Sequence, residues 1–291
     1  MKNEELFLMK NEELRMKNYR ASRMQSQTCL SYAETQPIIS KANFLLSVLF
    51  LCWLPLFGFA QQYTGVSGLI HVPSAEMNRA GDARIGAHFI NRHATPDARF
   101  FSYEGKKYDT FSYYLSLTPF SWIELGYTCT LVKVMASPNY DGHGYEEKDR
   151  YFSLKLNPLR EGKWWPAIAV GCNDISDSFS LFNLDDKAVE ATFGNYYVAA
   201  TKHFVWNGEE IGAHVSYRHF VKHINRKWNG VVGGVTYRPS FARNFRTIAE
   251  YTGHEINIGV DCLLWKHLLL QASLQNGKYF SGGVCFQLNL L

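Results

Sequence analysis

Apolar and polar residues alternate with a period of two along most of the chain after residue 81. The clearest runs are 111–118 and 123–131, separated by a short segment that contains Pro119. This period is typical of a β-strand with one apolar and one polar face. No segment of this region keeps a helical i, i+3, i+4, i+7 pattern over three turns. The same alternation recurs at 152–156, 211–218, 231–238, 256–262, 268–275 and 280–290.

Turn sequences separate these runs and set the expected number of strands. Asn-Gly pairs at 207–208 and 276–277 are strong hairpin signals. With the other turns, the pattern predicts an all-β domain of about 12 antiparallel strands. The segment Arg99–Asp109 is either an extra hairpin or a loop. Longer polar loops are expected at Ser137–Asp149 and Asp174–Lys187.

Two architectures bury such strands, and alternation alone does not separate them. A soluble β-sandwich turns its apolar faces into a core, whereas a transmembrane barrel turns them toward lipid. Strand lengths near the roughly 9 to 11 residues of a tilted membrane strand favour the barrel. Glycines on the polar face and a chain that ends within a strand favour it too. So do tryptophans beside turns, where an aromatic girdle is expected: Trp122, Trp164, Trp165, Trp206, Trp228 and Trp265.

The first sixty residues differ from the rest. Three Met-Lys-Asn repeats suggest an upstream extension with several possible start codons. Lys41, the apolar run 44–57 and Ala60 resemble a secretory signal cleaved after Ala60. A membrane anchor is the alternative, but the run is about 14 residues long, short of the roughly 20 that a helix needs to span a bilayer. We therefore predict an extension with signal peptide at 1–60, a lead-in at 61–81 that enters or caps one mouth, and a single transmembrane barrel at 82–291.

Composition narrows the partners. Charged residues make up 19% of the chain and the net charge is +4, without the basic stripe of a nucleic-acid-binding protein. For a barrel with a signal peptide, the expected surroundings are lipids of the outer membrane of a Gram-negative bacterium.

Beyond residue 60, the chain has four cysteines without zinc-binding spacing: Cys129, Cys172, Cys262 and Cys285. Disulfides between them are one alternative, which the sequence does not assign, and small apolar strand residues are the simpler interpretation.

No catalytic, cofactor or metal site is predicted from motifs. The glycines of 64–89 match no phosphate-binding pattern, and no nucleophile elbow is present. His219 and His223 have the four-residue spacing of helical zinc ligands. They continue the strand that begins near Ile211, however, which separates them along its face.

A basic set of residues falls on the face assigned to the lumen. Such an interior favours anionic solutes or polymers. An internal ion-pair network is the alternative, because Glu124, Glu250 and Asp261 share that face. The candidate contacts for a polyanion are Arg84, His88, His214, Arg218 and Arg238.

Three segments, in order, resemble the YjbH family of outer-membrane proteins linked to exopolysaccharide production. They are "GVSGLIHVPSAEMNRAGDARIG" at 65–86, "LREGKWWPAIAVGCNDI" at 159–175 and "IAEYTGHEINIGVDCLLWKHLLLQASLQNG" at 248–277. Thr252 stands where the family usually has an Asp. The resemblance implies a non-enzymatic role in secretion or surface assembly of an exopolysaccharide, with anionic polysaccharide and export components as partners. The alternatives are a general channel or structural envelope protein and, third, an envelope hydrolase with a rim site.

Overall fold

The alternating segments form one closed antiparallel barrel. The computed structural model describes residues 61–98, 101–103, 106–133, 145, 147–174 and 192–291. The predicted extension and signal peptide therefore lie outside the described residues. In the described part of the chain, no helix is long and apolar enough to cross a membrane.

Fourteen strands are present among the described residues, and twelve of them form the barrel. The barrel contains β1 and β4–β14, and it closes where β1 pairs with both β14 and β4. The prediction of about 12 strands is confirmed. The strands are β1 (Asp82–Ile90), β2 (Ser102–Tyr103), β3 (Lys106–Lys107), β4 (Thr110–Phe120), β5 (Ile123–Val132), β6 (Glu147–Leu159), β7 (Ala167–Asn173), β8 (Asn195–Trp206), β9 (Glu209–Phe220), β10 (Gly230–Arg238), β11 (Phe245–Tyr251), β12 (Ile256–Leu264), β13 (Leu268–Gln275) and β14 (Tyr279–Asn289).

The two ends of the barrel differ in their connections. At the turn end, where β1 begins and β14 ends, the connections are 121–122, 160–166, 207–208, 239–244 and 265–267. At the loop end, the two-residue strands β2 and β3 pair with each other between β1 and β4, so the described part of Arg99–Asp109 forms a hairpin that is not part of the barrel wall. Both Asn-Gly pairs have positive φ at each residue, the geometry of tight hairpin turns.

Two expectations about the loop end need correction. The loop expected at Ser137–Asp149 ends earlier, because β6 begins at Glu147; residues 137–144, 146 and 175–187 lie outside the described part. β9 ends at Phe220, and His223 begins a 3₁₀ helix, His223–Trp228. His219 and His223 therefore do not lie on one strand.

The apolar face of every barrel strand points outward. On β4, Tyr113 and Leu115 are exposed while Ser112 and Ser116 are buried. Register shifts occur beside Pro119 and Pro158, near strand ends, because proline cannot donate a ladder hydrogen bond. Buried and exposed residues alternate on these strands as far as Thr118 and Asn157, so the predicted inward and outward faces are retained up to the shifts.

Five of the six tryptophans in the described residues form a ring at the turn end. Trp122, Trp164, Trp165, Trp206 and Trp265 are between 49% and 82% exposed. The prediction for Trp228 was wrong: it is at the loop end, 7% exposed, and its ring packs 5.9 Å from that of Phe220. The 3₁₀ helix after β9 turns this side chain inward.

The four cysteines after residue 60 are each on a strand and are not disulfide-bonded. Cys129, Cys172 and Cys262 are partly buried, and Cys285 is buried. The simple interpretation as strand residues therefore holds in the structure.

Candidate functional site in the barrel lumen

Residues 61–78, here called the lumen segment, lie inside the barrel. Every residue from 61 to 76 except His71 is buried. The segment folds back on itself through isolated bridges between Gln61 and Ser67 and between Gly68 and Pro73. A short, weakly charged stretch with turn residues can fill a lumen this way without forming a strand of the wall.

Glycines of the wall make room for apolar residues of the lumen segment. A β-carbon on Gly234 would lie 2.6 Å from Leu69 Cδ1, and one on Gly259 would lie 2.6 Å from Ile70 Cδ1. Contacts this short do not occur between real carbon atoms, so a side chain at either position would displace the segment or the strand. The same β-carbons would lie 2.6 Å from the Ala249 carbonyl oxygen and 2.9 Å from that of Ala272, so these glycines serve close packing against the neighbouring strand as well as against the lumen segment.

Two buried carboxylates of the wall bind backbone and side-chain donors of the lumen segment. Glu250 Oε2 accepts hydrogen bonds from the backbone N–H groups of Ile70, His71 and Val72 at 3.0, 3.0 and 3.1 Å. Glu124 Oε1 accepts from Ser67 N at 2.9 Å and from Asn78 Nδ2 at 3.0 Å. Hydrogen bonds to a charged group are stronger than neutral ones, so these contacts hold the segment in one position.

Two basic groups of the wall complete the attachment. Lys155 Nζ donates to the Ser67 carbonyl at 2.9 Å and also to the Glu76 carbonyl. Arg246, 1% exposed, donates from Nη1 to both carboxylate oxygens of Glu76 at 2.9 and 3.1 Å, and from Nε to Asp261 at 2.9 Å. Buried charges are rare unless they are paired or hydrogen-bonded; Arg246 is paired with two carboxylates, and Lys155 donates hydrogen bonds to the lumen segment.

All five residues proposed from the sequence as polyanion contacts face the lumen, but they are not brought together. Arg84 Nη1 donates to Gln61 Oε1 at 2.8 Å, and Arg218 Nη1 donates to the His71 carbonyl at 2.6 Å. Both arginines thus bind the lumen segment.

The other three contact the wall. Arg238 pairs with Glu210 at 2.6 Å, and His88 stacks on Tyr114 with ring centroids 5.3 Å apart. His214 lies between two threonine hydroxyls of the wall. Their role toward a polyanion stays a prediction.

Two small cavities lie between the lumen segment and the described part of the wall. Two cavities bordered by Tyr63 and His71 measure about 10 and 20 Å³. A cavity of this size holds about one water molecule. With the segment in this position, these cavities do not admit a sugar residue.

Sequence reasoning missed several residues of this site. Arg246 is the second residue of β11 and points inward, but it is not among the five candidates proposed from the sequence. Glu76 and His203 were not considered. The only signal for Glu76 was its position in a segment already expected at the barrel mouth.

One cluster in the lumen has the donor atoms of a metal site. Glu76, His203 and His214 each place a ligand atom within 4.8 Å of the other two. His203 Nδ1 lies 2.7 Å from Glu161 Oε2, in the turn-end connection after β6. Burial raises the pKa of the Glu161 carboxyl, but hydrogen bonds from His203 and Lys202 outweigh this and hold that pKa below its usual range.

A closed antiparallel barrel with an apolar exterior and a polar lumen defines a transmembrane β-barrel protein, here with its own N-terminal segment inside. The model of the family described as exopolysaccharide biosynthesis protein YbjH matches residues 60–291. The chain therefore belongs to the YjbH family.

Among solved structures, the chain is similar to a Salmonella typhi outer membrane phospholipase, crystallised as a dimer with bound calcium. The identity is 13%, the TM-score is 0.33, and the match covers 72% of this chain and 91% of that one. No curated protein matches the chain in sequence.

Proposed function

We propose that this protein is a non-enzymatic barrel of the outer membrane that takes part in secretion or surface assembly of an exopolysaccharide. Membership of the YjbH family supports the link to exopolysaccharide biosynthesis. The apolar exterior and the ring of tryptophans at the turn end support a membrane location. Insertion from the periplasmic side requires export, for which the signal peptide predicted before Ala60 is the candidate.

The position of the lumen segment is the observation that best supports the proposal. The segment occupies the path that a polymer would take through the barrel, and Glu124, Glu250 and Arg246 bind it. In our proposal the described state is a closed one. Displacement of the segment exposes Arg84 and Arg218, which then meet the anionic groups of the polymer.

The same observation favours a second candidate, a structural envelope protein that never opens. In that case the lumen segment is a permanent part of the core. The difference between the two candidates is whether the segment has to move.

A disulfide lock tests this. Val66 Cγ1 lies 3.2 Å from the place of a β-carbon on Gly126, so Val66→Cys combined with Gly126→Cys brings two thiols into bonding range. We expect the oxidised double variant to stop exopolysaccharide secretion in cells that lack the wild-type protein. Reduction should restore secretion, and each single variant should secrete normally.

The outcomes separate the candidates. Normal secretion by the fully oxidised variant would refute a polymer path through the lumen and favour the structural role. Normal secretion in cells without the protein would refute the link to exopolysaccharide. Heat-modifiable migration of every variant on gels verifies that the barrel has folded.

A further inference from the structure

A cluster on the turn-end side of the lumen joins the lumen segment to two strands. Glu76 comes from the segment, His203 from β8 and His214 from β9, and their ligand atoms all lie within 4.8 Å of one another. The shortest separation, between His203 Nε2 and Glu76 Oε1, is 3.2 Å. Carboxylate and imidazole are ligands that zinc prefers.

The surroundings of His203 orient it as they would a metal ligand. Glu161 Oε2 lies 2.7 Å from Nδ1, and Glu161 Oε1 accepts the backbone N–H of His203 at 2.8 Å. A carboxylate on Nδ1 holds the proton on that atom, so the lone pair of Nε2 faces Glu76 Oε1. With His203 neutral, Nε2 and Glu76 Oε1 are two acceptors 3.2 Å apart, and either a proton on Nε2 or a bound metal ion has to lie between them. A carboxylate–histidine pair is the usual arrangement behind a bound metal.

His214 is placed to supply the third ligand. Its ring centroid is 5.8 Å from that of His203, and the planes are nearly perpendicular at 81°. Nδ1 and Nε2 lie 3.0 and 3.1 Å from the hydroxyls of Thr201 and Thr236. A hydroxyl donates or accepts, so these threonines tolerate either tautomer and allow one ring nitrogen to turn to a metal.

The charges around the cluster leave room for one more cation. With neutral histidines, the described carboxylates Glu76, Glu161, Glu210 and Asp261 face three cationic side chains, Lys202, Arg238 and Arg246. Lys155 and Glu124 add one charge of each sign and leave this difference unchanged. With neutral histidines this set therefore carries one excess negative charge, which a bound cation or a proton on a histidine offsets.

We propose that Glu76, His203 and His214 bind a divalent transition metal, for which zinc is the probe, and that the metal fastens the lumen segment to the wall. Ligands at about 2.0–2.2 Å from zinc lie about 3.3 Å apart, close to the observed separation of His203 and Glu76. Arg246 shares the Glu76 carboxylate, which limits the affinity. His203 is partly exposed, which gives access to the site.

The proposal is tested by titrating the purified, tag-free protein with Zn²⁺ and measuring the binding by calorimetry. The absorption spectrum of bound Co²⁺ is a second readout. We expect one bound ion per chain. His203→Gln and His214→Gln should each lose this binding, and Glu161→Gln should weaken it about 10- to 100-fold. His219→Gln is the matched control, because His219 is on β9 and points outward.

The absence of saturable Zn²⁺ binding by the wild-type protein would overturn the proposal, as would unchanged binding by His203→Gln. Either result would assign the missing positive charge to a proton on His203. Heat-modifiable migration shows that each variant has folded. The measurement involves no polysaccharide, so its outcome is independent of the function proposed above.

Discussion

The two faces of the same barrel strands follow different rules. On β9, Val215 is 57% exposed on the outer face, whereas Arg218 is 3% exposed and bonded to the lumen segment. The outer face requires only apolar side chains, because lipid is a uniform solvent. The inner face requires particular partners, because each buried polar group has to be satisfied. Substitutions on the two faces should therefore lower the stability of the barrel for different reasons.

The largest loss of stability is expected from a substitution on the inner face. Arg246→Leu removes the cation that pairs with Glu76 and Asp261, and leaves both carboxylates buried. Breaking such a pair lowers the free energy of unfolding by about 3–5 kcal/mol. Urea unfolding in lipid vesicles measures this, with Arg243→Ala in the 239–244 connection as a control. An unchanged midpoint for Arg246→Leu would contradict the assigned ion pairs.

A charge on the outer face should have the next largest effect. Val215→Arg places a guanidinium near the middle of β9, where the expected loss of stability is about 2–4 kcal/mol. Val205→Arg is the matched control near the turn end, where the expected loss is about 0–1 kcal/mol. Equal losses for the two variants would show that the outer face does not lie in a bilayer. The same vesicle assay compares them.

A substitution that disturbs the packing between the wall and the lumen segment should cause a smaller loss of stability. Gly234→Val drives a side chain into Leu69 and should cost about 1–3 kcal/mol. Leu69→Ala in the same chain should restore part of this, because it removes the contacted methyl groups. Protease sensitivity of the lumen segment reports the change. A double variant no better than Gly234→Val would place the strain in the strand instead.

The smallest change in stability is expected for an exposed ion pair that lies on neither face of the barrel strands. Hydrogen bonds from Arg92 hold the pKa of Asp109 below its usual range. The stabilisation is therefore complete above the ordinary aspartate pKa of about 3.9 and is lost as pH falls through the lowered folded value. For an exposed pair it amounts to about 0.2–1 kcal/mol. Unfolding across this pH range should differ between wild type and Asp109→Asn at neutral pH and converge in acid.

The outer face was predictable because it depends on local periodicity. Tyr113, Leu115 and Val215 were assigned correctly from alternation, and so were the inward positions of Arg84 and Arg218. The exceptions have local causes. Trp228 is the last residue of a 3₁₀ helix, and the alternating pattern does not extend to such a helix.

The partners in the lumen were not predictable, because they lie far apart in sequence. Glu250 binds N–H groups about 180 positions away, and Arg246 binds Glu76 from a distance of 170 positions. Neither contact leaves a periodic signal. His203 and His214 are on neighbouring strands, but only the closed barrel and the filled lumen bring Glu76 to them.

The sequence by itself determined the all-β class, the approximate strand number and the side of each strand that meets lipid, because all three follow from spacing along the chain. Only the tertiary structure decided that residues 61–78 fill the lumen and which wall residues bind them. The physical reason is that a barrel lumen is enclosed by residues from every strand. Its hydrogen bonds and ion pairs are therefore fixed only when the barrel closes.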